Sequence, residues 1–157
     1  MPDTALCAAV LDKIKEQIER TTHMIGLVPA ERRDWKPQAD DWTTEELVGH
    51  LVDCISGFCA VLVAAEPQRL AHFARLRERP GSIEIFRSHI EEGFALLTDT
   101  DLARRVPTVF VPQGETILTL LLGNLEHLIN HKHQLFLYLR LMSVPVSSAD
   151  LYRFRGE

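Results

Sequence analysis

The sequence predicts an all-α protein, folded as an antiparallel four-helix bundle with a short C-terminal helix. Two observations indicate this fold. Apolar side chains recur at helical spacing through four long segments, which glycine, proline and polar residues separate. The one strand-like run, at residues 109–111, is too short and too isolated to start a sheet. A chain of 157 residues suits a single domain, which we expect to span 1–157.

The first two predicted helices have clear limits. The first covers about residues 4–25, and Gly26 provides its stop. The second begins at a capping box in residues 43–46, which satisfies free amide donors, and it runs to about Ala65. Their apolar faces are predicted to carry Leu6, Val10, Ile14 and Ile18 in the first helix, and Leu47, Leu51, Cys54, Phe58, Val61 and Leu62 in the second.

The third helix is predicted over residues 83–97 and the fourth, which is the longest, over residues 115–141. A basic stretch at 69–79 either extends the second helix or forms a short extra helix. Residues 147–150 could cap one last short helix after Pro145. The predicted apolar faces carry Phe86, Ile90, Phe94 and Leu97 in the third helix, and Ile117, Leu121, Leu125 and Leu128 in the fourth.

Charge and composition exclude several classes of protein. There are 22 acidic and 17 basic residues, so the formal net charge is −5, which disfavours binding to nucleic acid phosphates. We find no run of about 18 uncharged apolar residues that would cross a bilayer, and no secretory signal. Three cysteines without a CxxC spacing are typical of reduced thiols. The sequence therefore predicts a cytoplasmic protein with no nucleic acid or membrane partner.

Seven histidines are the unusual feature of the composition. His127 and His131 are four residues apart in the fourth helix, so their side chains lie on neighbouring turns of one face. Two imidazoles in this arrangement can direct nitrogens at one cation. The pair borders the apolar arc of its helix. Two interpretations stay open from this helix alone: metal binding, or a pair of core or surface imidazoles.

His50 has a similar position on the second helix, between Leu47 and Leu51 at the shoulder of the apolar face. A lone histidine there is more often a core residue with a hydrogen-bond partner. The fourth helix, however, offers a histidine pair at the border of its own apolar face, and this strengthens the case for a metal site. Bundles build metal sites from facing helices, and three imidazoles would leave a coordination position open.

These residues also resemble a known family. The segments 34–37 (DWKP) and 42–51 (WTTEELVGHL) look like the second-helix signature of the DinB/YfiT-like superfamily. The segments 127–135 (HLINHKHQL) and 138–141 (YLRL) look like its fourth-helix signature. Order and spacing agree over roughly residues 4–145. The chain departs from the usual pattern at His133 and at Ser143, where glycine or another small residue often stands.

The resemblance implies a four-helix bundle, commonly a homodimer, with a divalent metal held by three histidines. Carried over to this chain, the metal ligands are His50, His127 and His131. Zinc or nickel is the expected ion, although three imidazoles also suit cobalt or iron. The superfamily includes thiol-dependent S-transferases and isomerases, which suggests a low-molecular-weight thiol as a partner. The surface around residues 120–122 could serve a homodimer or belong to the core.

Other side chains could join or support such a site. Cys54 could reach the metal but is expected to be a buried, inert thiol. Asp53 could accept a hydrogen bond from a ligand or act as a base, although a solvated carboxylate is favoured. Glu46 and Gln134 could orient ligand imidazoles, or serve as a cap and a surface residue. Of the other histidines, His89 has some chance of joining the site, and we expect exposure for His23, His72 and His133. Trp35 and Trp42 are expected to pack in a loop.

Two functions of different classes follow. In the first, the chain is a metal-dependent enzyme, a thiol-dependent S-transferase or a hydrolase, in which the metal lowers the pKa of bound water or thiol. No general base stands out beyond Asp53. In the second, the chain is a non-enzymatic, stress-associated binding or interaction protein whose metal is structural or absent.

Overall fold

Four long helices form the body of the protein in the computed structural model, which describes residues 3–73, 83–109 and 111–152. They are α1 (Ala5–Gly26), α2 (Thr44–Ala65), α3 (Ile83–Phe94) and α5 (Ile117–Leu141). There are also two short helices, α4 (Asp99–Leu102) and α6 (Ser148–Leu151), and a 3-10 turn at Ala30–Arg32. Two short strands, β1 (Arg105–Val106) and β2 (Glu115–Thr116), pair antiparallel. The predicted all-α helical bundle with a short C-terminal helix is confirmed.

Helix boundaries agree with the prediction to within a few residues. The capping box at the start of α2 is present, with the Thr43 side chain accepting from the backbone of Glu46 and the Glu46 side chain accepting from the backbone of Thr43. α5 begins two residues later than predicted, because Glu115 and Thr116 pair with β1. α3 ends at Phe94 instead of residue 97. Helix α4 was not predicted.

A few predicted positions were wrong or lie outside the described residues. Leu6 was placed on the apolar face of the first helix, but it is 43% exposed, and Cys7 is buried in its place. Val109, in the run that was predicted not to start a sheet, is 88% exposed and indeed belongs to no strand. In the basic stretch at 69–79, residues 71–73 form a short 3-10 turn, and residues 74–79 are outside the described part of the chain.

The four long helices enclose one core, and α1 and α2 lie diagonally opposite each other in the bundle. Each of these two helices packs mainly against α3 and α5. Contacts at the ends give the directions. Asp99, the first residue of α4, accepts hydrogen bonds from the first turn of α1, and the Ile117 N–H at the start of α5 bonds to the Arg104 carbonyl just after α4. The Tyr138 hydroxyl near the end of α5 donates to the Trp42 carbonyl, just before α2. α1 and α5 therefore run one way, and α2 runs against α5.

A buried lysine joins α5 to α1 and α6. The Lys132 ammonium group donates to Gln17 Oε1 at 2.7 Å and to the Leu151 carbonyl at 2.8 Å. Burial lowers the pKa of Lys132 to about 8. These two bonds satisfy a polar group that would otherwise be costly to bury, and they fix the C-terminal helix against the bundle.

Among the helices of the described segments, α2 has the length and apolar composition of a membrane-spanning helix. This is weak support for a membrane segment, because the central helix of a bundle has the same properties. In this fold the apolar side of α2 packs against α3 and α5, with Leu47, Leu51 and Phe58 fully buried.

Candidate metal centre

Three imidazoles meet where α2 packs against α5. His50 Nε2 and His127 Nε2 are 3.0 Å apart, and the rings of His50 and His131 are 4.4 Å apart between centroids. His127 and His131, one turn apart on α5, have ring centroids 4.8 Å apart. One nitrogen from each of the three residues lies within 4.8 Å of the other two. The structure thus brings together the three histidines that the sequence proposed as ligands.

The close packing of α2 and α5 near Gly57 explains this meeting. The Asn124 side-chain amide donates to the Cys54 carbonyl at 2.9 Å, which links the two helices one turn from His127. A Cβ atom on Gly57 would lie 2.5 Å from Asn124 Oδ1, so only glycine leaves room for this bridge. The helices run antiparallel, and His50 on α2 therefore lies opposite His127 on α5.

A chain of hydrogen bonds orients His131. Its Nδ1 atom lies 2.9 Å from Gln134 Oε1, which can only accept, so Nδ1 carries the proton and Nε2 keeps a free lone pair. The Tyr138 hydroxyl bonds with Gln134 and donates to the Trp42 carbonyl at 3.0 Å. This pattern is typical of metal-binding histidines, whose second nitrogen is held by a neighbouring acceptor.

The donor set fits a divalent transition metal. Two nitrogens that share a tetrahedral zinc ion at about 2.0–2.1 Å lie roughly 3.3 Å apart, close to the separation of His50 and His127. Burial lowers the pKa of His50, and the neighbouring His131 and His127 lower it further. His50 is therefore neutral at neutral pH, which is the form that binds metals. Metal binding by these residues stays a prediction.

Trp42 is a site residue that the sequence analysis assigned to loop packing. Its ring stacks on His131 at 5.6 Å with 27° between the planes, and it lies 4.8 Å from the ring of His50. Trp42 is 41% exposed, so it forms one wall of the site toward solvent. Trp35 packs edge-on against Tyr138 at 5.5 Å. The sequence signal that could have indicated this role is the position of Trp42 directly before Thr43, the N-cap of α2.

The weaker candidates for the site have other roles. Cys54 is buried and outside the three-histidine group, and burial raises the pKa of its thiol to about 11. Asp53 is exposed, and its charge raises the pKa of His50 slightly against the larger effect of burial. Glu46 closes the capping box of α2 and does not orient an imidazole.

The remaining histidines lie elsewhere. His133 is exposed, as predicted, and stands beside the Phe136 ring. His23 is exposed and pairs with Asp150 at 2.8 Å. His89, which had some chance of joining the three-histidine site, lies outside it, because α3 places it beside His72 on another part of the surface.

A cavity of about 850 Å³ opens between α2 and α5 and reaches the three-histidine site at His127. Its walls are mostly small or aliphatic. The lining residues are Gly57, Ala60, Val61, Val63, Ala64, Pro107, Thr108, Val109, Thr119, Leu120, Gly123, Asn124 and His127. The cavity is large enough for a small organic molecule, with an imidazole at one end.

Comparison with known proteins agrees with this architecture. The sequence profile of the DinB superfamily matches residues 13–135, which include all three histidines. The chain belongs to the DinB superfamily. A DinB-like protein of Bacillus subtilis, YjoA, has a similar crystal structure, with a TM-score of 0.65 and 22% sequence identity. That match covers 88% of this chain and 96% of YjoA. No curated protein matches the sequence.

Membership of the DinB superfamily is compatible with a metal-dependent enzyme, and the histidine cluster lies inside the matched region. The likeness to YjoA extends to the fold alone.

Proposed function

We propose that the chain is a metal-dependent enzyme, either a thiol-dependent S-transferase or a hydrolase. One observation carries the proposal. Three imidazoles converge at one point, and one of them, His127, also lines an apolar cavity, so a metal held by His50, His127 and His131 would adjoin the space for a substrate. Zinc or nickel suits the three nitrogens. The proposal includes a cytoplasmic location.

A bound divalent ion would supply a Lewis acid that lowers the pKa of coordinated water or thiol. The chain itself holds and orients the ligands. Gln134 fixes the ring of His131 through Nδ1, and Trp42 covers the rings of His131 and His50. Three protein ligands leave an open position, as catalytic metal sites require.

We expect the nucleophile to come from outside the chain. Burial holds the pKa of Cys54 near 11, so this nearby thiol stays protonated and is a poor nucleophile. Asp53, three residues after His50 on α2, is exposed. A low-molecular-weight thiol or water is then the reactant. In a transfer, the thiol loses its proton to solvent or Asp53, a sulfur–carbon bond forms, and the bond from carbon to the leaving group breaks.

The cavity walls favour an apolar acceptor. Aliphatic residues such as Val61, Ala64 and Leu120 line most of the space, and the Asn124 amide is already engaged with a backbone carbonyl. Few polar groups are left to recognise a charged substrate. We therefore expect a substrate whose apolar part fills the cavity and whose reactive carbon lies at the His127 end.

A homodimer is part of the proposal. The segment 120–122 has mixed exposure: Leu121 is fully buried, Leu120 lines the cavity, and Leu122 is 46% exposed. A second copy could cover Leu122. Analytical ultracentrifugation of Leu122→Glu tests this, since a charge at a dimer interface shifts the protein to monomer.

The test of the function begins with the metal. Protein purified without a metal-affinity tag should contain close to one metal ion per chain at this site. His50→Ala and His127→Ala should each lose it, while the exposed His133→Ala keeps it. Trp42 gives a second readout. In a Trp35→Phe background, metal addition should change the fluorescence of Trp42, which stacks on His131.

Thiol transfer and ester or amide hydrolysis are then assayed with apolar electrophiles. The metal-loaded protein should be active, and His127→Ala should lose the activity with its helical circular dichroism intact. A protein that binds metal but shows neither activity would favour a structural metal. A protein that binds no zinc or nickel would exclude the three-histidine site, and the non-enzymatic binding protein would then lead.

A further inference from the structure

A second cluster of metal-binding side chains lies away from the three-histidine site. It consists of His72, His89 and Glu92, whose ligand atoms lie within 4.8 Å of one another. His89 and Glu92 are three residues apart on α3 and so project from one side of that helix. His72 comes from the short turn at 71–73 that follows α2. Two segments of the fold therefore converge on one point of the surface.

The hydrogen bonds of the cluster hold two of its ligand atoms together and orient one of its two imidazoles. His72 Nε2 lies 2.9 Å from Glu92 Oε1. His89 Nδ1 lies 2.7 Å from the Ile85 carbonyl, so Nδ1 donates and Nε2 keeps its lone pair. A hydrogen bond from the second nitrogen to a carbonyl is the usual way in which proteins orient metal-ligating histidines.

The buried Phe73 holds the two imidazoles on one support. Its ring lies 4.4 Å from the ring of His89 and 4.8 Å from that of His72, edge-on to both. Phe73 belongs to the core, so both histidines are set against a rigid anchor although they are partly exposed. Ligands held in this way lose less freedom when they bind an ion.

We propose that His72, His89 and Glu92 form a second site for a divalent transition metal such as zinc. Two imidazoles and one carboxylate are a donor set that zinc accepts, with the fourth position left to water. The ion would join the turn after α2 to α3 and close the chain between residues 72 and 89. A metal ion that connects these two positions stabilises the fold for two reasons: it closes a loop of the chain, and it binds the folded chain but not the unfolded one.

The experiment measures zinc stoichiometry by equilibrium dialysis with the full chain. Wild type should bind two equivalents. His127→Ala with His131→Ala should bind one, and His72→Ala with Glu92→Gln should also bind one. The quadruple variant should bind none, while His133→Ala binds as wild type does. Zinc should raise the Tm of the His127 and His131 double variant by several degrees and leave the quadruple variant unchanged.

The two sites can fail separately. Unchanged zinc stoichiometry in the His72 and Glu92 variant, or none bound by the His127 and His131 variant, would overturn the second site. A His72 and Glu92 variant that binds none, while the other double variant keeps one equivalent, would instead overturn the three-histidine site. If the His72 and Glu92 variant loses helicity, His89→Gln replaces it, since glutamine keeps a polar side chain on α3.

Discussion

His50 Nε2 and His127 Nε2 lie 3.0 Å apart across the contact of α2 and α5, although 77 residues separate them in the chain. At this distance one of the two ring nitrogens donates its proton and the other accepts it. A divalent ion that replaced this proton would find two nitrogens close to their coordinating separation. Packing of the two helices therefore already places two of the ligand nitrogens close to the separation that metal binding requires.

Gln134→Leu should weaken metal binding about 10- to 100-fold. Gln134 Oε1 accepts the proton of His131 Nδ1 and so directs Nε2 toward the site, and leucine removes this acceptor. Gln134→Glu retains an acceptor and should bind metal close to the wild-type level. Competition with a chromophoric chelator gives both affinities. Equal affinities for the leucine and wild-type proteins would show that Gln134 does not position His131.

The bundle and the histidine pair of α5 could be predicted because their signals are local. Helical spacing of apolar residues defined α1, α2, α3 and α5, and the i, i+4 spacing placed His127 and His131 on one face. The link from this pair to His50 depends on which helices pack together. Helical spacing does not show which helices pack together, and the placement of His50 beside the pair came from the family resemblance.

Features that arise between elements could not be predicted in the same way. Trp42 lies in a loop without periodicity, and its stacking on His131 depends on how that loop folds over the site. The cluster of His72, His89 and Glu92 depends on the path of the chain after α2, where a basic stretch gave no helix limits. His89 was considered for the wrong site, since its helix face could be predicted but its neighbours could not.

Gly57→Ala should leave the protein about 1–2 kcal/mol less stable than Gly123→Ala. Both residues lie in long helices, where alanine is favoured over glycine. A Cβ at Gly123 meets nothing within 4 Å, whereas one at Gly57 would displace the Asn124 side chain and break its bond to the Cys54 carbonyl. Urea unfolding of the two variants measures the difference. Equal stabilities would mean that the Asn124 bridge contributes little to the α2 and α5 contact.

Ser143→Gly should stabilise the protein by about 0.5–1 kcal/mol. Ser143 follows α5 with a φ of +63°, and the backbone N–H of Val144 bonds to the Leu139 carbonyl, as in a glycine-terminated helix. Serine pays a steric cost in this left-handed conformation. The control is Ser88→Gly, in the middle of α3 and exposed, which should be destabilising by a similar amount. Thermal unfolding should therefore give shifts of opposite sign, and a loss of Tm for Ser143→Gly would contradict the prediction.

Asp99 should make the stability of the bundle depend on pH in the acid range. Burial raises the pKa of this carboxyl, but the hydrogen bonds that it accepts from the backbone N–H groups of Leu6 and Cys7 outweigh burial, and the net pKa is lowered. The unfolded chain then binds more protons than the folded one near the ordinary aspartate pKa of about 3.9. The contribution of Asp99 is complete above this pH and is lost as the pH falls through the lower, folded value.

Asp99→Ala should therefore lower the Tm at pH 7, because the first turn of α1 loses two charge-assisted acceptors. The difference in Tm between this variant and wild type should become smaller as the pH approaches 3. The exposed Asp40→Ala serves as the control and should follow the wild-type profile. Calorimetric scans from pH 7 to pH 3 give the Tm of all three proteins. A constant gap between Asp99→Ala and wild type over this range would mean that the carboxylate charge at the start of α1 contributes nothing, and that the substitution acts through lost packing alone.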